Sequence, residues 1–336
     1  MKRVPVLVLL GLVTSVLSAC CGPNWRPAEQ PDSGPGGVGH KHAAVTETVV
    51  GNGGSKAWVF EPDQPRPRTA PVVVLLHGWG AMRPAFYIEW IRHLVRRGNI
   101  VIYPKYQASL ITLPTRMPRA AKSAIRDAIA ELGKPGHVRP DETRFAVAGH
   151  SLGGIMAMNI AANAKEDGLP PPRAVMCVEP GEPRHAPRSL GRLTPIPSIL
   201  GDYAGVPKGT LVLIVVGDDD IMVGDVAAKL IWKAIEHLPA KDRDYVTVVS
   251  DSHGSPTLDA SHLLPLAPAR GSVIRRVFGT TDALDHYGTW KLLDALTDAA
   301  FYGKNRKYAL GNTPEQRYMG KWSDGTPVKE LKVLNK

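Results

Sequence analysis

Five consecutive residues, Gly149-His150-Ser151-Leu152-Gly153, have the types and spacing for nucleophilic chemistry. They follow a short apolar run at 145–147 that reads as a buried strand. They precede Ile155-Met156-Ala157-Met158, which reads as the start of a helix. A serine on so sharp a strand-to-helix turn is expected at positive φ, with its hydroxyl pushed out above the sheet. Glycines flank it because side chains there would collide where strand and helix pass. The helix N-terminus behind Ser151 offers unpaired N–H groups and a positive dipole end to a developing oxyanion. Alone, the pattern also fits a glycine-rich turn with an idle serine, so partners elsewhere must decide.

Acyl transfer needs a base for the serine proton, an acid to orient that base, and an oxyanion site. The apolar run 72–76 ends in His77-Gly78-Trp79-Gly80, a turn suited to aiming a backbone amide at a carbonyl oxygen. Trp79 N–H and Leu152 N–H are the expected oxyanion donors, with His77 bracing the loop. The run 211–216 leads into Gly217-Asp218-Asp219-Asp220, where a carboxylate past the strand end can reach the site from the side. Glu179, after the run 174–178, is the rival acid. The run 245–250 leads into Asp251-Ser252-His253, and a loop there can swing an imidazole over the serine. His253 is therefore the expected base, with His262 and His286 as the alternatives.

Together these residues resemble the serine α/β hydrolases, whose lipases and esterases often carry GHSLGG. The order Ser151, Asp220, His253 is that of their catalytic triad. Gly217 to Val223 resembles their G-x-x-D-x-x-V acid turn, which favours Asp220 and leaves Asp218 and Asp219 as turn and capping residues for the next helix. The resemblance runs from about residue 45 to 301 and departs in a long insertion after His253. It implies an α/β-hydrolase fold: a mainly parallel eight-stranded sheet, helices on both faces and a loop-rich cap. It also implies cleavage of carboxylic esters through an acyl-enzyme, with no metal or organic cofactor. The same triad would serve an acyltransferase or a peptidase, and a non-catalytic binding lipoprotein could keep the fold. No replaced triad position favours that last reading.

The elements that must hold these residues are legible as periodicity. Strands are expected at 45–50, 56–61, 72–76, 100–103, 145–148, 174–178, 211–216 and 245–250. The later ones are continuous apolar runs, as in parallel strands covered on both faces. Helices are expected at 85–97, 152–165, 226–238 and 289–301, and along the stripe Ala121, Ala124, Ile125, Ala128, Ile129, Leu132. This alternation predicts one α/β domain over 45–336. Two stretches break it, a proline-rich one at 180–208 and a mixed one at 254–285. Both are expected to act as cap-like segments that shape a substrate pocket.

The amino terminus reads as a targeting segment. Lys2 and Arg3 precede an apolar run at 4–17, and Leu17-Ser18-Ala19-Cys20 resembles the lipobox of bacterial lipoproteins. That resemblance implies a signal peptide over 1–19, a diacylglyceryl group on Cys20 and an extracytoplasmic location on a membrane face. The alternative is secretion after cleavage at Ala19. Residues 20–44, rich in Pro and Gly, are expected to be a flexible tether. The net charge is +10, but the basic residues are scattered without aromatic interleaving. That excludes nucleic acid as the expected partner and leaves an ester substrate and a lipid surface. Three cysteines, two of them at the processing site, imply no disulfide framework.

Overall fold

The computed structural model describes residues 24–52, 56–182 and 198–334. The signal peptide, Cys20 and most of the proline-rich cap segment lie outside them. Among the described residues nine strands form one sheet in the order β1-β2-β4-β3-β5-β6-β7-β8-β9. The antiparallel edge is β1 (Ala44–Val50) and β2 (Ala57–Asp63). The parallel body is β3 (Thr69–Leu76), β4 (Ile100–Pro104), β5 (Arg139–His150), β6 (Ala174–Val178), β7 (Leu211–Gly217) and β8 (Arg243–Val248). The ninth strand, β9 (Lys332–Val333), is a two-residue addition from the C-terminal tail, antiparallel to β8. It carries no apolar run, so the expected count was eight.

Alternation within the parallel strands divides the core into two layers. Val72, Val74 and Leu76 of β3, with Phe145 and Val147 of β5, face α2 (Met117–Leu132), α3 (Leu152–Asn163) and α4 (Val226–Ala234). Val73 and Leu75, with Ala146 and Ala148, face the opposite layer, built on α1 (Ile88–Arg96) and α6 (Lys291–Tyr302). The expected helix at 85–97 breaks at Tyr87, with a 3₁₀ turn before it. The one at 289–301 begins as a π-type turn, Leu284–Trp290. Ten of the twelve α3 residues are buried, so this helix behind Ser151 is apolar all round.

Chain order reverses at β3, which lies between β4 and β5. Ligands in open α/β sheets bind beyond the carboxyl ends of strands at such a switch point. The carboxyl ends here are His77 and Ser151, the two turns singled out by the sequence.

Residues 24–43 do not form a flexible tether; they lie along the domain as a strap. Arg26 and Ser323 exchange backbone bonds in both directions, through the Ser323 hydroxyl one way, at 3.0 and 2.9 Å. Gly36 N–H donates to the buried Asp294 carboxylate at 2.7 Å, which also pairs with His93 (2.8 Å) and Arg97 (3.2 Å). His40 shares a hydrogen with His93 at 3.1 Å. The Pro and Gly content of this strap lets it lie flat, since a Cβ on Gly36 would meet the His286 carbonyl. Among the described residues no helix is long and apolar enough to cross a membrane.

Candidate active site

Ser151 sits at φ 56°, ψ −124° between β5 and α3, a strained backbone for a residue with a side chain. The glycines around it are sterically required. A Cβ at Gly149 would run into the Gly153 carbonyl, and one at Gly153 into the carbonyls of Leu76 and His77. This close passage of α3 over the ends of β3 and β5 turns Ser151 toward a cavity of about 440 Å³.

The imidazole beside Ser151 belongs to His262. His262 Nε2 lies 2.9 Å from Ser151 Oγ, and its Nδ1 lies 2.8 Å from Asp220 Oδ2. Asp220 Oδ1 in turn accepts the N–H groups of Met222 and Val223 at 3.0 and 3.1 Å, which fixes the carboxylate just past β7. All three side chains are buried.

His253, the expected base, lies elsewhere. Its Nε2 is 2.9 Å from Asp324 in the C-terminal tail, and its ring packs on Trp322. The reason lies in what packs against this loop. Asp251 and Leu258 pair as an antiparallel bridge, and Gly254 is wedged against the Trp25 carbonyl and the Trp322 ring. The loop after β8 therefore turns outward at His253 before the insertion brings His262 back over the serine. His286, the other alternative, lies beneath the strap against Trp290. Burial lowers its pKa to about 4.

Glu179, the rival acid, is fully buried at φ 46° after β6. Its Oε2 lies 3.9 Å from His262 Nδ1 and 3.5 Å from His150 Nε2, outside bonding distance. Burial, reinforced by Asp220, pushes its carboxyl well above the usual range. Asp218 does not cap α4, whose N-cap is Asp225; it accepts from Ser250 and ties β7 to the loop after β8.

Trp79 and Leu152, the expected oxyanion donors, both line the cavity. Among the described residues neither backbone N–H has a protein acceptor. Gly78 N–H does have one, the Tyr87 hydroxyl at 3.1 Å. His77 is buried between the rings of Tyr103 and Tyr106, and burial lowers its pKa to about 4. It is a neutral brace in the loop. Tyr106 OH bonds the His77 carbonyl from below.

Most of the remaining wall is apolar, with Phe86, Met222, Val223, Leu263, Leu266 and Phe278, and it includes one buried carboxylate, Glu182, which accepts from the Ser198 hydroxyl and the Ile199 N–H. The insertion at 254–285 supplies three of these, Phe278 from the short helix α5 (Val273–Phe278). Among the described residues one group of potential metal ligands stands here, His150, Glu179 and His262, with ligand atoms within 4.8 Å of one another. Both nitrogens of each histidine already bond protein groups, so the set does not form an open coordination site.

Sheet order, a strained serine at the switch point and an acid turn after β7 define the α/β-hydrolase fold. Residues 45–195 match the sequence model of a family described as Chlorophyllase. A stretch of 125 residues is 26% identical to the non-reducing polyketide synthase ascC of Acremonium egyptiacum, covering 35% of this chain and 6% of that protein. The chain thus spans a small fraction of that relative. The family similarity points to an esterase-like hydrolase.

Proposed function

We propose that this protein is a serine hydrolase of carboxylic esters acting through an acyl-enzyme on Ser151. The observation that carries this reading is the continuous contact from Ser151 Oγ through the His262 ring to Asp220, at 2.9 and 2.8 Å. Asp220 accepts Nδ1–H and so leaves Nε2 as the lone-pair nitrogen facing the hydroxyl. His262 takes the Ser151 proton as Oγ attacks the ester carbonyl. The N–H groups of Trp79 and Leu152 receive the oxyanion. His262 then returns the proton to the leaving alcohol, and water, activated by the same nitrogen, releases the acid.

The largely apolar cavity wall supports an ester with apolar parts, and the Glu182 carboxylate in its lining argues against an anionic one. The amino-terminal sequence supports a lipid anchor on Cys20 that holds the enzyme on a membrane face. A fluorophosphonate probe tests the chemistry. Wild type is labelled, while Ser151→Ala and His262→Ala are not; equal labelling of Ser151→Ala removes Ser151 from the mechanism. A panel of esters of graded acyl length then reads the pocket. For the anchor, Cys20→Ser moves the protein from the membrane fraction to the soluble one, and unchanged partition rejects lipidation.

A further inference from the structure

We propose that His150, the residue before the nucleophile, is a positioning residue that ties the oxyanion turn to the backbone of His262 through one directed string of hydrogen bonds. Four groups make the string. Gly78 N lies 3.1 Å from the Tyr87 hydroxyl, that hydroxyl 2.7 Å from His150 Nδ1, and His150 Nε2 2.9 Å from the carbonyl oxygen of His262.

The direction of every bond follows from its last member. A carbonyl oxygen only accepts, so His150 Nε2 carries a hydrogen. Burial, with the neighbouring His262 ring, holds the His150 imidazole well below its ordinary pKa, so it is neutral and Nδ1 is an acceptor. Tyr87 therefore donates its single hydroxyl hydrogen to Nδ1, and its oxygen accepts Gly78 N–H. No member can be reversed without setting a buried donor against a donor or an acceptor against an acceptor.

Both ends of the string belong to parts that the proposed reaction uses. Gly78 immediately precedes Trp79, so anchoring its N–H fixes the peptide from which the chain enters the oxyanion turn. The other end grips the peptide that carries the base. Packing at the centre is close: a Cβ on Gly78 would lie 3.0 Å from His150 Nδ1 and 3.3 Å from the Ser151 Cβ. The His150 and His262 rings stand 4.8 Å apart, so a shift in one is felt by the other.

The consequence for turnover rests on the hydrolase reading, but the string itself can be read without turnover. Tyr87→Phe removes one hydroxyl and keeps the ring. His150→Phe keeps bulk and cuts both bonds. His150→Gln keeps a terminal N–H donor for the His262 carbonyl. Expected for Tyr87→Phe and His150→Phe is a fall in kcat of about 10- to 100-fold, the scale of a small misplacement, with KM within about twofold. His150→Gln recovers part of the loss, and the Tyr87→Phe/His150→Phe double variant is no worse than His150→Phe. In substrate-free protein, the NMR resonance of the proton between His262 Nδ1 and Asp220 shifts in both Phe variants. Unchanged kcat and resonance in Tyr87→Phe, or equal losses in the Gln and Phe variants of His150, overturn the proposal. A wild type that turns over no ester while the resonance still moves in Tyr87→Phe rejects the hydrolase reading and leaves the string standing.

Discussion

Glu179 Oε2 stops 3.9 Å short of His262 Nδ1, whereas Asp220 Oδ2 reaches the same nitrogen at 2.8 Å. Two carboxyls thus flank one imidazole, and their hydrogen bonding separates them: Asp220 accepts three hydrogen bonds, while neither Glu179 oxygen has a hydrogen-bond partner among the described residues. Asp220→Asn should lower kcat by about 10⁴-fold, because the amide donates where the carboxylate accepted and forces the wrong tautomer. Glu179→Gln should keep kcat within about threefold, less than the ~1.4 kcal/mol of a tenfold change. Steady-state kinetics on one ester decides between them, and the reverse pattern would make Glu179 the acid.

Glu179 also predicts a pH dependence of stability. Its folded-state pKa is raised by burial above the unfolded value of about 4.3. Above that value the folded protein holds a proton that the unfolded chain releases, so this group's contribution falls as pH rises. Glu179→Gln removes the effect. The melting temperature of the variant relative to wild type should therefore climb as pH rises from about 4.3 toward neutrality. A constant difference across that range would mean that the carboxyl ionises normally.

His253 and His262 should separate cleanly. His262→Ala should abolish fluorophosphonate labelling and cut kcat by about 10⁴- to 10⁶-fold, as for other triad bases. His253→Ala removes a solvent-exposed pair with Asp324 and should leave labelling intact, at little cost in stability. Labelling lost in His253→Ala and kept in His262→Ala would return the base to the nearer loop.

The strap should loosen in acid in two stages. Burial, with the neighbouring charges of His93, Arg96 and Arg97, lowers the His40 pKa to about 4 against the opposing pull of Asp294. Its contribution is complete above an unfolded pKa of about 6.5 and is lost as pH falls from there toward about 4. Burial raises the Asp294 carboxyl, but His93, Arg97 and the Gly36 N–H outweigh it and hold it below its ordinary value. Its contribution is present above about pH 3.9 and goes as the carboxylate protonates below that. Protection factors over residues 34–43, which correct exchange for its intrinsic pH dependence, should fall below about pH 6.5 in wild type, and Asp294→Asn should be less protected at every pH. Constant protection from pH 7 to pH 4 contradicts this account.

What could be read from the chain alone was what local patterns encode. β3, β5 and β7 are continuous apolar runs because both faces are covered, and Ser151 and Asp220 sit on turns whose residue types are locally required. His262 had no such mark. Its place depends on the Asp251–Leu258 bridge and on Gly254 meeting Trp25 and Trp322, contacts between segments far apart in sequence. The strap was hidden for the same reason: its prolines and glycines look like a linker until Asp294 and His93 are brought beneath them. Tyr87 carried no signal, while His150 stood inside the motif, where attention falls on the serine.

The docking of Trp25 and Arg26 onto Ser255 and Ser323 shortens any leash. From Cys20 to Asn24 the chain can extend at most about 14 Å at ~3.5 Å per residue. With acyl chains on Cys20, the enzyme would ride close to the bilayer with the edge around Ser255 and Ser323 turned toward the headgroups. It would then have a fixed attitude to the membrane, and substrates would meet the Ser151 cavity from a restricted range of directions.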